Sequence, residues 1–442
     1  MPLSRNPVEE HQNLIARLAA ARQQTDRLFE IVRPEFLYER PIPERHRIIF
    51  YLGHLEAFDW NLLRDRFPGL QPFDKESDKL FAFGIDPVGG GLPADRPADW
   101  PRISQVRQYN DRVRHALEKS LEAAKSSQTA PDSAFSTSVL LNVAIEHRLM
   151  HAETLAYMFH QLPLAQKVPQ AAAPAEENRP VKPGMVEIPG GSATLGLVRD
   201  GDSAAFGWDN EYEAHSVHVK SFEIDRYKVT NGEYLRFMSA GGYDDPSYWT
   251  AEDWKWTAQS GVTHPVFWKR SGDAWFYRGM FHEFPLPLNW PVYVSHAEAG
   301  AYARWAGKTL PSEAQWHRAA YPNAESGPEA QDGEAPRLPR GNFDFKRWEP
   351  APVNSSDDRS AWGVEDMLGN GWEWTSTRFE PFQGFQPFPF YPGYSANFFD
   401  GKHFVMKGGS ARTAACMMRR SFRNWFQPYY QYVYAGFRCV SA

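Results

Sequence analysis

The feature that most constrains the fold of this chain is a break in its patterning. Residues 164–183 read L-A-Q-K-V-P-Q-A-A-A-P-A-E-E-N-R-P-V-K-P, an Ala/Pro/charged stretch with little to bury. Before it, apolar residues recur at three- and four-residue steps. After it, short apolar runs alternate with Gly, Pro and Asn. One core cannot run through such a segment, and 442 residues exceed the size at which single cores stop growing. The expected organisation is a helical domain over 1–163, a linker over 164–183 and a second domain over 184–442.

Four segments of the first part read as helices: 8–32, 44–65, 101–125 and 132–161. The third opens at Pro101, and Asp132 or Ser133 is available to cap the fourth. Four long helices make a bundle the simplest packing solution. The link over 66–100 is rich in Gly and Pro and reads as a long loop. The second part carries short strands such as M-V-E-I-P and F-E-I-D-R-Y-K-V and two short helices. One starts at Ser295 with Glu298 at capping-box spacing and stops at Gly307; the other repeats the device with Ser312 and Gln315. Beyond about residue 330 the chain is loop-rich and aromatic. The fold class expected is α+β, a four-helix bundle followed by an irregular, aromatic-stapled domain.

The fourth helix holds I-E-H-R-L-M-H-A-E-T-L over 145–155. Leu140, Ala144, His147, His151, Leu155 and Met158 follow helical steps and line one stripe. His147 and His151 are a turn apart, the spacing at which two imidazoles grip one cation. Glu153 lies about 200° round the helix from His151 and points away. A third ligand must come from another helix. His160 faces away, His115 sits among charges, and His46 lies at an exposed, charged helix start. His54 shares an apolar stripe with Phe50 and Phe58 and is the choice. A single buried histidine is usually a satisfied core residue; two at this spacing with a third on a partner helix are harder to explain that way. Three neutral imidazoles leave coordination positions open for reactants. Imidazole suits zinc and copper too, so spacing alone does not name the metal.

A formal charge of −6 argues against nucleic acid as a partner, because phosphates need a basic surface. No run of about 18 apolar residues is present, so no membrane span is expected. The first ten residues lack the apolar run of a signal peptide. The two cysteines, Cys416 and Cys439, make no disulfide framework and fit a reducing compartment. A cytoplasmic protein is the expectation.

The second part also carries M-V-E-I-P-G-G (185–191), E-I-D-R-Y-K-V-T-N-G-E-Y (223–234), R-W-A-G-K-T-L-P-S-E-A-Q-W (304–316), L-G-N-G-W-E-W-T (368–375) and G-F-R-C-V (436–440). These phrases resemble the formylglycine-generating-enzyme-like fold, a relative of the C-type lectins, over nearly all of 184–442. Formylglycine generation itself needs a close cysteine pair after the G-G-S turn. Here Gly408, Gly409 and Ser410 are followed by Cys416 alone in that loop, so capture of a soft metal by two thiolates is not available. With R-P-I-P-E-R-H-R-I-I-F-Y-L-G-H-L-E-A-F-D-W-N (40–61) and H-x-x-x-H-x-E, the whole chain resembles the ergothioneine sulfoxide synthases, in which a DinB-type bundle is fused to this fold. The resemblance implies a non-heme Fe(II) enzyme that uses O2 to join a donor to imidazole C2 of hercynine, the trimethylated betaine of histidine. It implies His54, His147 and His151 as iron ligands, and Asn424 and Trp425, in F-R-N-W, as holders of hercynine. A trimethylammonium group donates no hydrogen bond and favours an aromatic face.

The chain departs from the γ-glutamylcysteine-using members at three places. The acid after N-W is Phe426, the arginine four further on is Tyr430, and the glutamine before the last iron histidine is Met150. An apolar ring cannot pair with a charged donor. A selenosugar donor, as in the selenoneine synthase branch, is therefore preferred over cysteine, with γ-glutamylcysteine least expected. Tyr391 and Tyr394, in the aromatic stretch 388–399, are candidates for the catalytic proton or hydrogen source. The reading from another class is a lectin-like binding module whose bundle holds a structural zinc.

Overall fold

The computed structural model describes residues 7–67, 69–84, 92–124, 136–171, 181–199, 206–321, 340–356 and 358–441. The chain divides into two compact units, Met1–Gln170 and Ala171–Ala442.

The first unit contains α1 (Pro7–Phe29), α2 (Ile48–Leu63), α3 (Lys75–Phe83), α4 (Ile103–Ala124) and α5 (Thr137–His160). α1 packs on α5, and α2 packs on α3, α4 and α5. Sequence decides which helices are central. α4 buries Val106, Tyr109, Val113, Leu117 and Leu121, a one-sided stripe at helical spacing. α2 and α5 bury residues around most of their circumference, so they form the inner pair. The four long helices lie where the periodicity places them. The stretch 66–100 corrects the expectation of a plain loop, because it contains α3. Asp74 caps that helix by accepting from the Ser77 N–H at 3.0 Å, and Gly84 ends it at φ 73°. Nine residues among prolines and glycines are too few for periodicity to reveal. Asp132 and Ser133 lie outside the described residues; Ser136 caps α5 by accepting from the Val139 N–H.

The second unit is built of short strands: β1 (Met185–Ile188), β2 (Gly191–Leu195), β3 (His215–Val219), β4 (Phe222–Asp225), β5 (Trp268–Ser271), β6 (Ala274–Arg278), β7 (Glu283–Pro285), β8 (Trp372–Arg378), β9 (Phe404–Lys407), β10 (Asn424–Phe426), β11 (Ala435–Gly436) and β12 (Val440–Ser441). They form sheets ordered β1-β4-β12, β10-β9-β8-β11, β2-β3 and β5-β6-β7. All pairings are antiparallel except β8 with β11. Four helices interleave: α6 (Asn231–Ser239), α7 (Ala251–Ser260), α8 (His296–Trp305) and α9 (Glu313–Ala320). The last two carry the capping boxes read from the sequence, Ser295 with Glu298 and Ser312 with Gln315. Mixed helices and small sheets make the fold α+β, as expected.

A core of Ile188, Ala193, Val219, Phe222, Ile224, Trp316, Val364, Met367 and Val440 joins β1, β2, β3, β4, β12 and α9. Beside it lies a fully buried ionic group. Arg438 donates to Glu373 at 2.7 and 3.0 Å, Lys228 reaches Glu373 at 2.9 Å, and the Trp316 indole donates to the same carboxylate at 3.0 Å. Burial alone raises the Glu373 pKa, but Arg438 and Lys228 overcome it and hold the carboxyl below its ordinary value. Two of the recognisable phrases, W-E-W and G-F-R-C, therefore meet through one charge pair. In L-G-N-G, Gly369 sits at φ 81°, and a Cβ there would lie 2.5 Å from the Asn342 carbonyl oxygen. Only glycine fits that approach.

Candidate metal centre and aromatic cluster

His54 lies near the middle of α2, and His147 and His151 lie on α5. Each offers one ring nitrogen to a group in which these atoms all lie within 4.8 Å of one another. Ring centroids are 5.2 Å apart for His54–His147, 4.9 Å for His54–His151 and 4.5 Å for His147–His151. Among the described residues this is the only such group of three or more His, Cys, Asp or Glu side chains. Glu153 is buried but is not part of it.

Aromatic neighbours fix the rings. His54 stacks on Phe50 at 4.8 Å, and His147 stacks on Phe58 at 3.4 Å with the planes 10° apart. Tyr51 packs against His151 at 5.6 Å. His46, expected at an exposed helix start, is half-buried and packs on Phe50 at 4.2 Å. The sequence placed it among charges and missed this ring contact.

The protonation states suit a cation. His54 Nδ1 lies 2.7 Å from the Phe81 carbonyl oxygen. A carbonyl only accepts, so Nδ1 carries the proton and Nε2 presents its lone pair. Burial pushes the His54 pKa down to about 4, with the Phe81 hydrogen bond opposing. Burial, then the neighbouring imidazoles, push His147 well below its ordinary value; burial, then His54 and Arg45, do the same for His151. All three rings are thus neutral at physiological pH. The buried Nδ1 of His151 has no hydrogen-bond partner among the described residues. Such an orphan costs free energy, which ligation of a cation through that nitrogen would offset.

The link to Phe81 depends on one glycine. A Cβ on Gly53 would lie 2.4 Å from the Phe81 ring, and that ring is 1% exposed with no room to swing. Helix propensity alone favours Gly53→Ala by about 1 kcal/mol. Overpacking costs roughly 1–3 kcal/mol and decides the sign. The Gly53→Ala protein is expected to melt at lower temperature and to hold metal more weakly, because α3 must retreat with its carbonyl. An unchanged melting temperature would show that α3 is free to shift.

In the second unit, Asn424, Trp425 and Phe426 form β10, an edge strand paired with β9 through Trp425 opposite Val405. Strand alternation puts Trp425 on one face and Asn424 and Phe426 on the other. The Trp425 ring stacks on Phe379 at 4.1 Å, meets Tyr394 edge-on at 5.4 Å and packs against Phe398 at 5.6 Å. Tyr394 in turn stacks on Trp208 at 3.9 Å. Tyr391 packs 5.6 Å from Tyr394; burial, then Asp209, raise its pKa. Asp209 ties both ends of this loop by accepting from the Ser395 hydroxyl and the Phe388 N–H. Phe426 stacks on Tyr430 at 5.0 Å and 15°, and Tyr430 meets Tyr432 at 5.3 Å. Met150, half-buried, precedes His151 on α5. Sequence reasoning missed Phe379, Trp208 and Asp209; no local pattern marks them, since they join the cluster from distant segments.

No helix among the described residues is long and apolar enough to cross a membrane. Residues 170–442 match the sulfatase-modifying factor enzyme 1-like domain, and residues 17–155 match the DinB superfamily. Hercynine oxygenase of Mycolicibacterium smegmatis is 33% identical over 97% of this chain and 98% of its own length. Hercynine oxygenase of Mycobacterium tuberculosis is 39% identical over 52% of this chain and 55% of its own length. Ergothioneine biosynthesis protein 1 of Neurospora crassa is 27% identical over 93% of this chain and 55% of its own length. With a full-length relative at this identity and both domain types in the same order, the chain belongs to the hercynine oxygenase family, a DinB-type helical domain followed by a sulfatase-modifying factor enzyme 1-like domain.

Proposed function

We propose that the protein is a non-heme Fe(II)- and O2-dependent synthase that forms a carbon–chalcogen bond at imidazole C2 of hercynine, with a selenosugar as donor. The observation that carries the reading is the convergence of His54, His147 and His151 in a chain similar throughout to a hercynine oxygenase. The three neutral imidazoles would hold the metal. Bound Fe(II) supplies the electron-transfer chemistry with O2 that the side chains lack. The ligand set contains no carboxylate, so it leaves the cation's charge uncompensated, and this favours an anionic thiolate or selenolate nearby.

Loss of the C2 proton and the donor proton, with one new bond, removes two electrons from the organic partners, and O2 takes up both electrons and both protons to leave as hydrogen peroxide. A sulfur product at the sulfoxide level uses two more electrons, with one oxygen atom entering the product and the other leaving as water. On the protein side, Trp425 offers an aromatic face to the trimethylammonium group, and Asn424 offers a polar side chain for the carboxylate. Tyr394, edge-on to Trp425, and Tyr391 beside it are the candidates for a proton source.

The donor assignment rests on Phe426 and Tyr430. Their rings stack on each other where the γ-glutamylcysteine-using members are expected to place an acid and an arginine. A stacked aromatic pair presents a face for a sugar and no partner for a charged peptide. Cysteine is the second candidate. The test is a competition. Fe(II)-loaded protein, hercynine and O2 are offered a selenosugar, cysteine and γ-glutamylcysteine together, and products are identified by mass. A predominant selenium adduct is expected. Preference for γ-glutamylcysteine overturns the donor assignment. Tightly held zinc with no hercynine-dependent O2 uptake overturns the enzyme reading in favour of a binding module.

A further inference from the structure

Arg148 directly follows His147 on α5 and is fully buried, 0% exposed. Its Nη2 donates to the Leu55 carbonyl at 2.8 Å and to Asp59 Oδ2 at 2.7 Å, and its Nη1 donates to Glu56 Oε1 at 3.0 Å. Leu55 directly follows His54. One planar guanidinium thus joins the residue after one histidine of the trio to the residue after another, across α5 and α2. The outer helices close on the same carboxylates. Arg114 of α4 donates to Glu56 at 2.7 Å, and Arg22 of α1 lies 3.5 Å from Asp59.

A buried ion pair contributes little net stability over a well-packed apolar substitute, so stability alone is a weak reason for this arrangement. Its distinctive property is geometry. The guanidinium is rigid, its donors diverge at fixed angles, and its three acceptors span one turn of α2. Sliding or rotating α5 against α2 breaks two of these bonds at once. We infer that Arg148 is a positioning residue that sets the register of α2 against α5, and with it the separation of His54 from His147 and His151. This rests on the trio being a metal site.

The test uses the full chain with Co(II) as the probe. Affinity is read by chelator competition, geometry by the visible d–d spectrum and fold by melting of the metal-free protein. Arg148→Lys keeps the charge but reduces the fork to a point donor. It is expected to fold, to bind Co(II) about 10–100-fold more weakly and to show shifted bands, the range for loss of an outer-shell partner. The double variant Arg148→Met, Asp59→Asn removes the clamp and one charge of each sign, while Arg22 keeps Glu56 and Glu118 and Arg114 keeps Glu56 and Asp26; it is expected to lose affinity similarly. Glu118 of α4 pairs with Arg22 at 3.1 Å from the exposed side of the network, and Glu118→Gln is expected to match wild type. The inference is overturned if both clamp variants bind within about threefold of wild type with wild-type bands, whatever their melting temperatures. If wild type itself fails to bind Co(II), the metal-site reading falls and takes the inference with it. That outcome is distinct, since in the former case wild type binds and His147→Ala does not.

Discussion

On the proposed function, His147→Ala is expected to abolish hercynine-dependent O2 uptake and to strip the purified protein of iron. Structural metal sites with four ligands reach apparent binding free energies of about 10–16 kcal/mol, on the order of 3 kcal/mol per ligand. Removing one of three imidazoles therefore weakens binding by at least about a hundredfold. The loss is specific to the site. His147 is 3% exposed and its ring covers Phe58, so truncation leaves a small cavity, but the bundle's apolar core remains intact around α2 and α5. The melting temperature of the metal-free variant is expected to change by only a few degrees, while metal stoichiometry, read by elemental analysis, collapses. His147→Gln, which nearly preserves volume, should separate packing from ligation by restoring the melt and not the iron. Wild-type iron content in His147→Ala would remove the basis for the proposed chemistry.

Glu373→Ala is expected to produce the largest loss of stability in the second unit. Glu373 is completely buried and accepts from Arg438, Lys228 and Trp316. Its removal leaves two cations without their carboxylate in a site from which water is excluded. Breaking a buried pair by deleting one partner costs about 3–5 kcal/mol. For a unit of this size that is a fall of roughly 10 °C in melting temperature. Arg438 also donates to the Asp225, Arg226 and Glu365 carbonyls, so its displacement loosens β4 and the loop before β8 together. Denaturant unfolding of the full chain should show the transition of the second unit shifting while that of the bundle stays. A change below about 1 kcal/mol would mean that water reaches the site or that Lys228 and Arg438 find other acceptors.

How much of this was legible beforehand follows the range of the interactions. The histidine pair at i, i+4 on α5 and the Phe50–His54–Phe58 stripe on α2 are local consequences of 3.6 residues per turn. The sequence therefore sufficed to choose all three rings that the fold brings together. The capping boxes at Ser295 and Ser312 were legible for the same reason. α3 was not, because a nine-residue helix between prolines and glycines offers too few turns of periodicity, although Asp74 and Gly84 marked its ends.

The sequence by itself was enough to read a two-part organisation, a helical bundle and three candidate ligand histidines. Only the tertiary structure decided what surrounds them. The Phe81 carbonyl on His54, the Arg148 clamp from α5 to Leu55, Glu56 and Asp59, and the rings of Phe379, Tyr394 and Phe398 about Trp425 all join segments far apart in the chain. Glu56 and Asp59 of α2 and Arg148 of α5 stand as charges within apolar runs. Their positions did not name their partners, because a side chain's direction on a helix is fixed locally, whereas the group it meets is set by how whole helices and loops pack.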